Sequence, residues 1–276
     1  MYKIEKTKII ITNLNDFNIV QILDCGQIFR YTINGNSATV YSKDKMATIS
    51  TFEDRVEIET DSIEYFINFF DLNTNYSKIK LELKKDKFLK PAIDYGYGIR
   101  ILNNDAYEMI VSFIISANNN IKRIKKSIEY LCTNFGEGKG KYFAFPTLTQ
   151  LKNATVQDYK LAGLGYRAEY MFETIQKLTN EDIKNLKHLD RKAQFNFLIS
   201  LKGIGEKVAN CILLFGLGAK DVFPVDTWIN KVYNKLTNTN SIDRRKITKE
   251  LTDLYGNLSG YAQQYFFYYF RENNIK

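Results

Sequence analysis

The sequence predicts an α+β protein: an N-terminal antiparallel β-sheet domain packed on a predominantly α-helical body. Three observations carry that expectation. Residues 1 to about 60 alternate apolar and polar with the two-residue period of half-buried strands. From Asp61 onward the apolar residues recur at helical spacing instead. The starts of several helical stretches also carry a capping residue with an acid three positions on.

In the first part, "QIFRYTI" and "ATVYSK" flank Asn34-Gly35, a dipeptide that favours a tight hairpin turn, and "MATIS" and "RVEIET" supply further strands. "DSIEYFINFFDL" is expected to open with Asp61 as N-cap and Glu64 as its capping-box partner, and "DAYEMIVSFIISA" repeats the device with Asp105 and Glu108. "IKRIKKSIEYLCTNF" puts Ile121, Ile124, Ile128, Leu131 and Phe135 on one face, with Lys122, Arg123, Lys125 and Lys126 elsewhere. "TVQDYKLAGL" begins with a third box, Thr155 and Asp158, and "RAEYMFETIQKL" and "RKAQFNFLISL" follow. "EKVANCILLFGLG" is apolar nearly all round, which predicts a central buried helix, and "TWINKVYNKL" and "GYAQQYFFYYFRE" read as the last two helices. No repeat, low-complexity tract or long linker interrupts the chain. We expect a sheet domain with flanking helices over 1–90 and a helical domain over 91–276, with a helix–hairpin–helix at 191–218.

Composition narrows the function classes. With 45% hydrophobic and 25% charged residues the 276-residue chain reads as an ordinary globular protein. No apolar run reaches membrane-spanning length and the N-terminus lacks a signal-peptide profile, so an intracellular location is expected, cytoplasmic and nucleoid-associated in a bacterium. Cys25, Cys132 and Cys211 are far apart and form no CxxC, which argues against zinc and iron–sulfur sites and for reduced thiols. The single histidine, His188, leaves little room for His-based metal or triad chemistry and reads as a surface residue. A net charge of +8 favours an anionic partner, and 14% aromatic residues provide material for base stacking.

The stretch "LKGIGEKVANC" is the most informative. Gly203-Ile204-Gly205 between two helices defines a tight turn whose outward amides suit a phosphate, although helix–Gly–helix corners also occur without any ligand. Lys207 lies in the first turn of the apolar helix that follows. The helix dipole and partial burial both disfavour its charged form, as a nucleophilic amine requires. The alternative is a lysine that snorkels to solvent or to a phosphate. Cys211 lies one turn on, on the same face. Downstream, "VFPVDTWINKVY" offers Asp226, an N-cap for the next helix that could also stabilise positive charge on a reacting sugar or move protons.

These segments together resemble the helix–hairpin–helix, Gly/Pro-Asp superfamily of base-excision DNA glycosylases, and Lys207 marks the bifunctional glycosylase/lyase branch. "CGQIFRY", "SFIISANNNIKRI", "LAGLGYRAEY" and "GYAQQYFFYYF" are similar to the 8-oxoguanine DNA glycosylases, so the likeness runs from about residue 25 to 270. The resemblance implies a DNA repair enzyme that needs no metal or dissociable cofactor, acts as a monomer and grips double-stranded DNA over the cleft between its two parts. It implies Lys207 as the Schiff-base nucleophile and Asp226 as the catalytic aspartate. It gives Gly26 a backbone carbonyl for the lesion base, Cys211 and Phe267 a sandwich around that base, and Gln263 its Watson–Crick edge. 8-Oxoguanine carries a proton on N7 where guanine has an acceptor, so one carbonyl attracts the lesion and repels the normal base.

The resemblance further implies that Asn118 fills the gap left by the extruded nucleotide, that Arg123 and Arg167 hydrogen-bond the orphaned cytosine, and that Tyr166 wedges the stack. Gly203 and Gly205 present the phosphate-binding hairpin. Taken singly, Asn118 reads as part of a polar turn, Arg123 as a solvated charge and Phe267 as a core aromatic. One departure stands out: animal members have histidine two residues after the aspartate, and this chain has Trp228, which removes an imidazole–phosphate contact. A related glycosylase acting on other oxidised or alkylated bases, or a non-catalytic DNA-binding module, remain the rival readings.

Overall fold

The structure, a computed structural model, describes residues 2–273. Six strands, β1 (Tyr2–Glu5), β2 (Lys8–Ile11), β3 (Tyr31–Asn34), β4 (Ser37–Ser42), β5 (Lys45–Thr51) and β6 (Val56–Glu59), form one sheet in the order β1-β2-β6-β5-β4-β3. Every neighbouring pair is antiparallel. The alternation seen in the sequence becomes a buried face of Ile9, Ile11, Ala38, Val40, Ala47, Ile49, Val56 and Ile58. Phe66, Phe69 and Phe70, from helix Ile63–Phe69 and its C-cap, close that face in the same core. Each fully buried ring contributes about 1.5–3 kcal/mol of transfer free energy.

The hairpin is where the Asn-Gly dipeptide puts it, with the register moved by one residue. Asn34 pairs with Ser37, so Gly35 and Asn36 form the loop, and Gly35 takes the positive φ of +56°. Strand β3 also starts later than "QIFRYTI" suggests. Gln27 is wholly buried and uses its amide to stitch the loop before β3: Nε2 donates to the Ile22 and Arg100 carbonyls at 2.9 and 2.7 Å, and Oε1 accepts from the Leu102 amide at 2.8 Å. Satisfying a buried amide outweighs extending a strand by four residues.

The body is helical, and its spine is helix Glu206–Gly216, in which Ala209, Ile212, Leu213 and Leu214 are essentially inaccessible. It packs on helix Ala106–Ser116 so closely that a Cβ on Gly216 would lie 3.1 Å from the Ala106 Cα. A second, larger core fills this part and takes up Cys25 and Phe29 from the sheet side. The capping box at Thr155 and Asp158 is present, as are boxes at Thr147–Gln150 and Thr179–Asp182. Asp61 is not a cap: the helix begins at Ile63 after Ser62, with no side-chain cap bond. Asp105 caps its helix, but Glu108 turns away from the box. Its carboxyl oxygens accept from the Lys43 amide and, at 3.4 Å, from the Ser42 hydroxyl, which joins the β4–β5 turn to the body. A further helix, Arg244–Tyr255, lies between the two expected to end the chain; only Ile247 and Leu251 on it are buried, too narrow a stripe to stand out by periodicity.

Buried cations complete the joint. Arg30 donates to Glu129 at 2.9 Å and to the Phe143 carbonyl at 2.8 Å. Arg100 donates to the carbonyls of Phe70, Asp16, Asp71 and Thr74 and stacks 4.0 Å from the Tyr76 ring centroid. The result is a fixed seam, and the Cys25–Gly26 segment runs along it.

Candidate active site

Helices Arg191–Ile199 and Glu206–Gly216 are joined by the Gly203–Gly205 turn. Gly203 has φ +81°, and a Cβ there would sit 3.0 Å from the Tyr170 Cβ, so both conformation and space call for glycine. Gly205 serves as N-cap of the second helix with an ordinary φ of −88°, and a Cβ there would meet no atom within 4 Å. The open side of the turn, lined by Lys177, Lys202 and the 199–205 backbone, is a shallow basic recess.

Lys207 is half-buried one residue into that helix, its Nζ 5.7 Å from the Phe113 ring centroid. Cys211, a turn further on, is buried; burial pushes its thiol up, the Lys207 ammonium opposes that shift and the Asp226 carboxylate adds to it. Asp226 stands at the head of helix Thr227–Thr237, where its Oδ1 accepts from the Ile229 amide at 2.9 Å. The cap bond leaves the other carboxylate oxygen free of that duty.

The sheet side and the C-terminal helix Ser259–Glu272 bring together a second group of predicted residues. Gly26 has φ +77°, and a Cβ on it would lie 3.2 Å from the Phe267 ring. Gln264 donates from Nε2 to the Cys25 carbonyl at 2.7 Å, which fastens this turn to the helix. Gln263 and Phe267, four residues apart on the helix, leave a buried Gln263 Oε1 without a hydrogen-bond partner among the described residues. Unpartnered buried amide oxygens are uncommon, because each costs about 1–3 kcal/mol.

The third group surrounds Asn118. Asn118 is exposed with φ +49°, in the turn between helices Ala106–Ser116 and Ile121–Phe135. Arg167 is only 4% exposed and points inward: NH1 donates to the Ala117 carbonyl at 2.6 Å and, more weakly, to the Asn118 carbonyl at 3.4 Å. Tyr166 beside it is 56% exposed, and the Arg167 guanidinium lies 5.1 Å from its ring. Arg123 is exposed on the first turn of helix Ile121–Phe135, its amide capped by Asn120.

Comparison with known proteins shows the family. Residues 9–110 match the family described as 8-oxoguanine DNA glycosylase, N-terminal domain, and residues 111–256 match the HhH-GPD superfamily of base excision DNA repair proteins. The chain belongs to the 8-oxoguanine DNA glycosylase family. A relative named N-glycosylase/DNA lyase from Saccharomyces cerevisiae is 30% identical over an alignment covering 95% of this chain and 85% of its own length. The 8-oxoguanine glycosylase/lyase of Clostridium acetobutylicum, solved in complex with double-stranded DNA containing cytosine opposite 8-oxoguanine, is 37% identical with a TM-score of 0.93, covering 100% of this chain and 99% of its own. The same Clostridium protein in its apo-form gives 36% and 0.90, covering 98% of each chain.

Within this family frame, Trp228 is half-buried and carries Lys231 over its ring at 5.1 Å, so an aromatic ring with a cation on it stands at the family's histidine position. His188 is exposed, away from these groups. Among the described residues no group of three or more His, Cys, Asp or Glu side chains is arranged to hold a metal ion, and no helix is long and apolar enough to cross a membrane. Sequence reasoning does not pick out Gln264 and Arg271, two residues that hold the turn carrying Gly26. Both lie on the C-terminal helix that carries Gln263 and Phe267, but helical spacing alone does not say which polar residues of an aromatic-rich helix turn toward a loop far away in sequence.

Proposed function

We propose that this chain removes 8-oxoguanine from duplex DNA, with cytosine preferred opposite, and then cuts the strand at the same site. Lys207 Nζ attacks C1′ of the flipped nucleotide, and the C1′–N9 bond breaks with its electron pair leaving on the base. The sugar ring opens to an imine; loss of a C2′ proton then expels the 3′ phosphate by β-elimination. Asp226 stabilises the positive charge that develops on the sugar. Gly26 accepts from N7–H, Cys211 and Phe267 enclose the base, and Gln263 reads its edge. Asn118 and Tyr166 occupy the duplex gap, with Arg123 and Arg167 against the cytosine, and the Gly203–Gly205 turn holds a phosphate. We place the protein in the compartment that holds the DNA, the cytoplasm and nucleoid if the cell is bacterial.

The observation that carries this reading is Lys207 itself, half-buried in the first turn behind the Gly203–Gly205 hairpin, with its Nζ 5.7 Å from the Phe113 ring centroid and the buried Cys211 one turn further on. A passive DNA-binding hairpin has no use for that arrangement. The test is borohydride trapping on an 8-oxoguanine:cytosine duplex. Wild type is expected to form a covalent protein–DNA adduct, and Lys207→Gln to lose it by about 10³-fold or more. Equal trapping by the two proteins would sink the mechanism, and faster cleavage of duplexes bearing an alkylated base would sink the substrate.

A further inference from the structure

Arg271, one turn beyond Phe267 on the C-terminal helix, has no role in the scheme above. Its side chain is 15% exposed and wedged against the turn that carries Gly26. NH2 donates to the Asp24 carbonyl, and the Asp24 carboxylate stands 3.9 Å away. Nε donates to Glu272 at 2.8 Å. The carbon of the guanidinium lies 5.4 Å from the Phe267 ring centroid and 5.8 Å from that of Tyr268. NH1 is sealed from solvent, has no partner among the described residues, and would be 3.8 Å from a Cβ on Gly26.

A glycine at φ +77° has no side chain to fix its peptide planes, so the direction of its carbonyl depends on what holds its neighbours. Two tethers do so here, both from the C-terminal helix: Gln264 to the Cys25 carbonyl and Arg271 to the Asp24 carbonyl. The arginine tether is charge-assisted and braced by an aromatic face, which makes it the stiffer of the two. The Gly26 carbonyl itself accepts no hydrogen bond from the described residues.

We propose that Arg271 is a positioning residue for lesion recognition: it clamps the Asp24–Gly26 turn against Phe267 so that the Gly26 carbonyl meets N7–H of the extruded base. This rests on the assignment of Gly26 as the lesion-reading carbonyl. Because reactions at an abasic site need no base pocket, the clamp matters for excision of the base and not for the lyase step that follows.

Single-turnover rates of the full-length chain on two duplexes test this, one with 8-oxoguanine opposite cytosine and one with a preformed abasic site opposite cytosine. Arg271→Leu is expected to slow base excision about 10- to 100-fold, the cost of a small misplacement at a reacting centre, with abasic-site cleavage unchanged. Arg271→Lys, which keeps the charge but not the fork, is expected to recover only part of the excision rate. An equal fall in both activities, or no fall in excision, overturns the proposal. Should the leucine variant fail to fold, the ratio of excision to abasic cleavage in Arg271→Lys decides alone, and an unchanged ratio overturns it. A wild-type protein that cuts abasic DNA but leaves 8-oxoguanine in place removes the substrate reading and this proposal together. Wild-type excision with an indifferent Arg271 variant removes only the proposal.

Discussion

The group around Gly26 and Phe267, proposed to hold the lesion base, and the group around Asn118, proposed to face the opposite strand, are built in different ways. In the group proposed to hold the lesion base, Gly26 packs on the Phe267 ring, Gln264 and Arg271 hold the Cys25 and Asp24 carbonyls before it, and Cys211 is buried. In the second group, Asn118, Arg123 and Tyr166 stand exposed, whereas Arg167 is buried, its NH1 on the carbonyls of the Asn118 turn and its Nε without a partner among the described residues. A pocket that must distinguish one protonated nitrogen from a lone pair gains from rigid walls, since every buried mismatch then carries its full cost. Groups that enter a duplex from outside have no protein wall to lean on. On the proposed roles, the difference teaches that base selection would be a property of the fold, whereas opposite-base selection would rest on a few side chains at its surface and on the buried Arg167 behind them.

The largest expected break in that comparison is at Asp226. Asp226→Asn keeps an oxygen that can accept from the Ile229 amide, so the cap survives and the loss of stability should be a few tenths of a kcal/mol. The negative charge is gone, and glycosylase turnover should fall about 10²- to 10⁴-fold. Thermal unfolding and single-turnover excision, measured on one preparation, separate the two roles. A variant that loses stability and activity in proportion would mean that the carboxylate is only a cap.

A smaller effect separates the two arginines. Arg123→Ala removes an exposed side chain with no partner among the described residues, so it should lower the preference for cytosine by about 5- to 100-fold, the worth of a base-edge contact, and leave stability unchanged. Arg167→Ala should lower the same preference and also loosen the Asn118 turn, because its bond to the Ala117 carbonyl is lost; the cost is about 1–3 kcal/mol. Excision rates opposite each of the four bases, with melting temperatures alongside, would show it. If neither variant changes the preference, neither arginine reads the cytosine.

The same contrast explains what could be read in advance. The Gly203–Gly205 turn, the buried helix after it and the Asp226 cap depend on neighbours within a few residues, so local spacing was enough to place them. The start of β3 was misjudged because Gln27 finds its partners at Ile22, Arg100 and Leu102, two of them more than seventy residues away. Local spacing points Glu108 to a capping box, whereas its partners, Ser42 and Lys43, come from another part of the fold. Arg271 stayed hidden for a related reason: its role depends on a turn about 250 positions earlier in the chain. Gly26 and Phe267 could be singled out only through resemblance, since nothing in their own surroundings announces a pocket.

The smallest effect on activity, and the most specific to pH, belongs to the seam that supports the lesion side. Burial pushes the Glu108 carboxyl up to about 8, and the nearby Asp105 charge adds to that; the Lys43 amide, Arg30 and the Ser42 hydroxyl oppose it. In the unfolded chain this group titrates near 4.5. Between those two values the folded protein holds a proton that the unfolded chain releases, so stability must fall as pH rises from about 4.5 to 8. Glu108→Gln removes the titration while keeping an oxygen for the Lys43 amide and giving the Ser42 hydroxyl a donor. The variant should therefore melt higher than wild type at pH 8.5, by an amount on the order of a few degrees, and the gap should close toward pH 5. Excision of 8-oxoguanine at neutral pH should not change, because Glu108 acts on the joint and not on the pocket. Melting curves of the two proteins across that range decide it: parallel curves would mean that the carboxyl is ionised in the folded state, and that the seam tolerates a buried charge through Arg30 and the Lys43 amide.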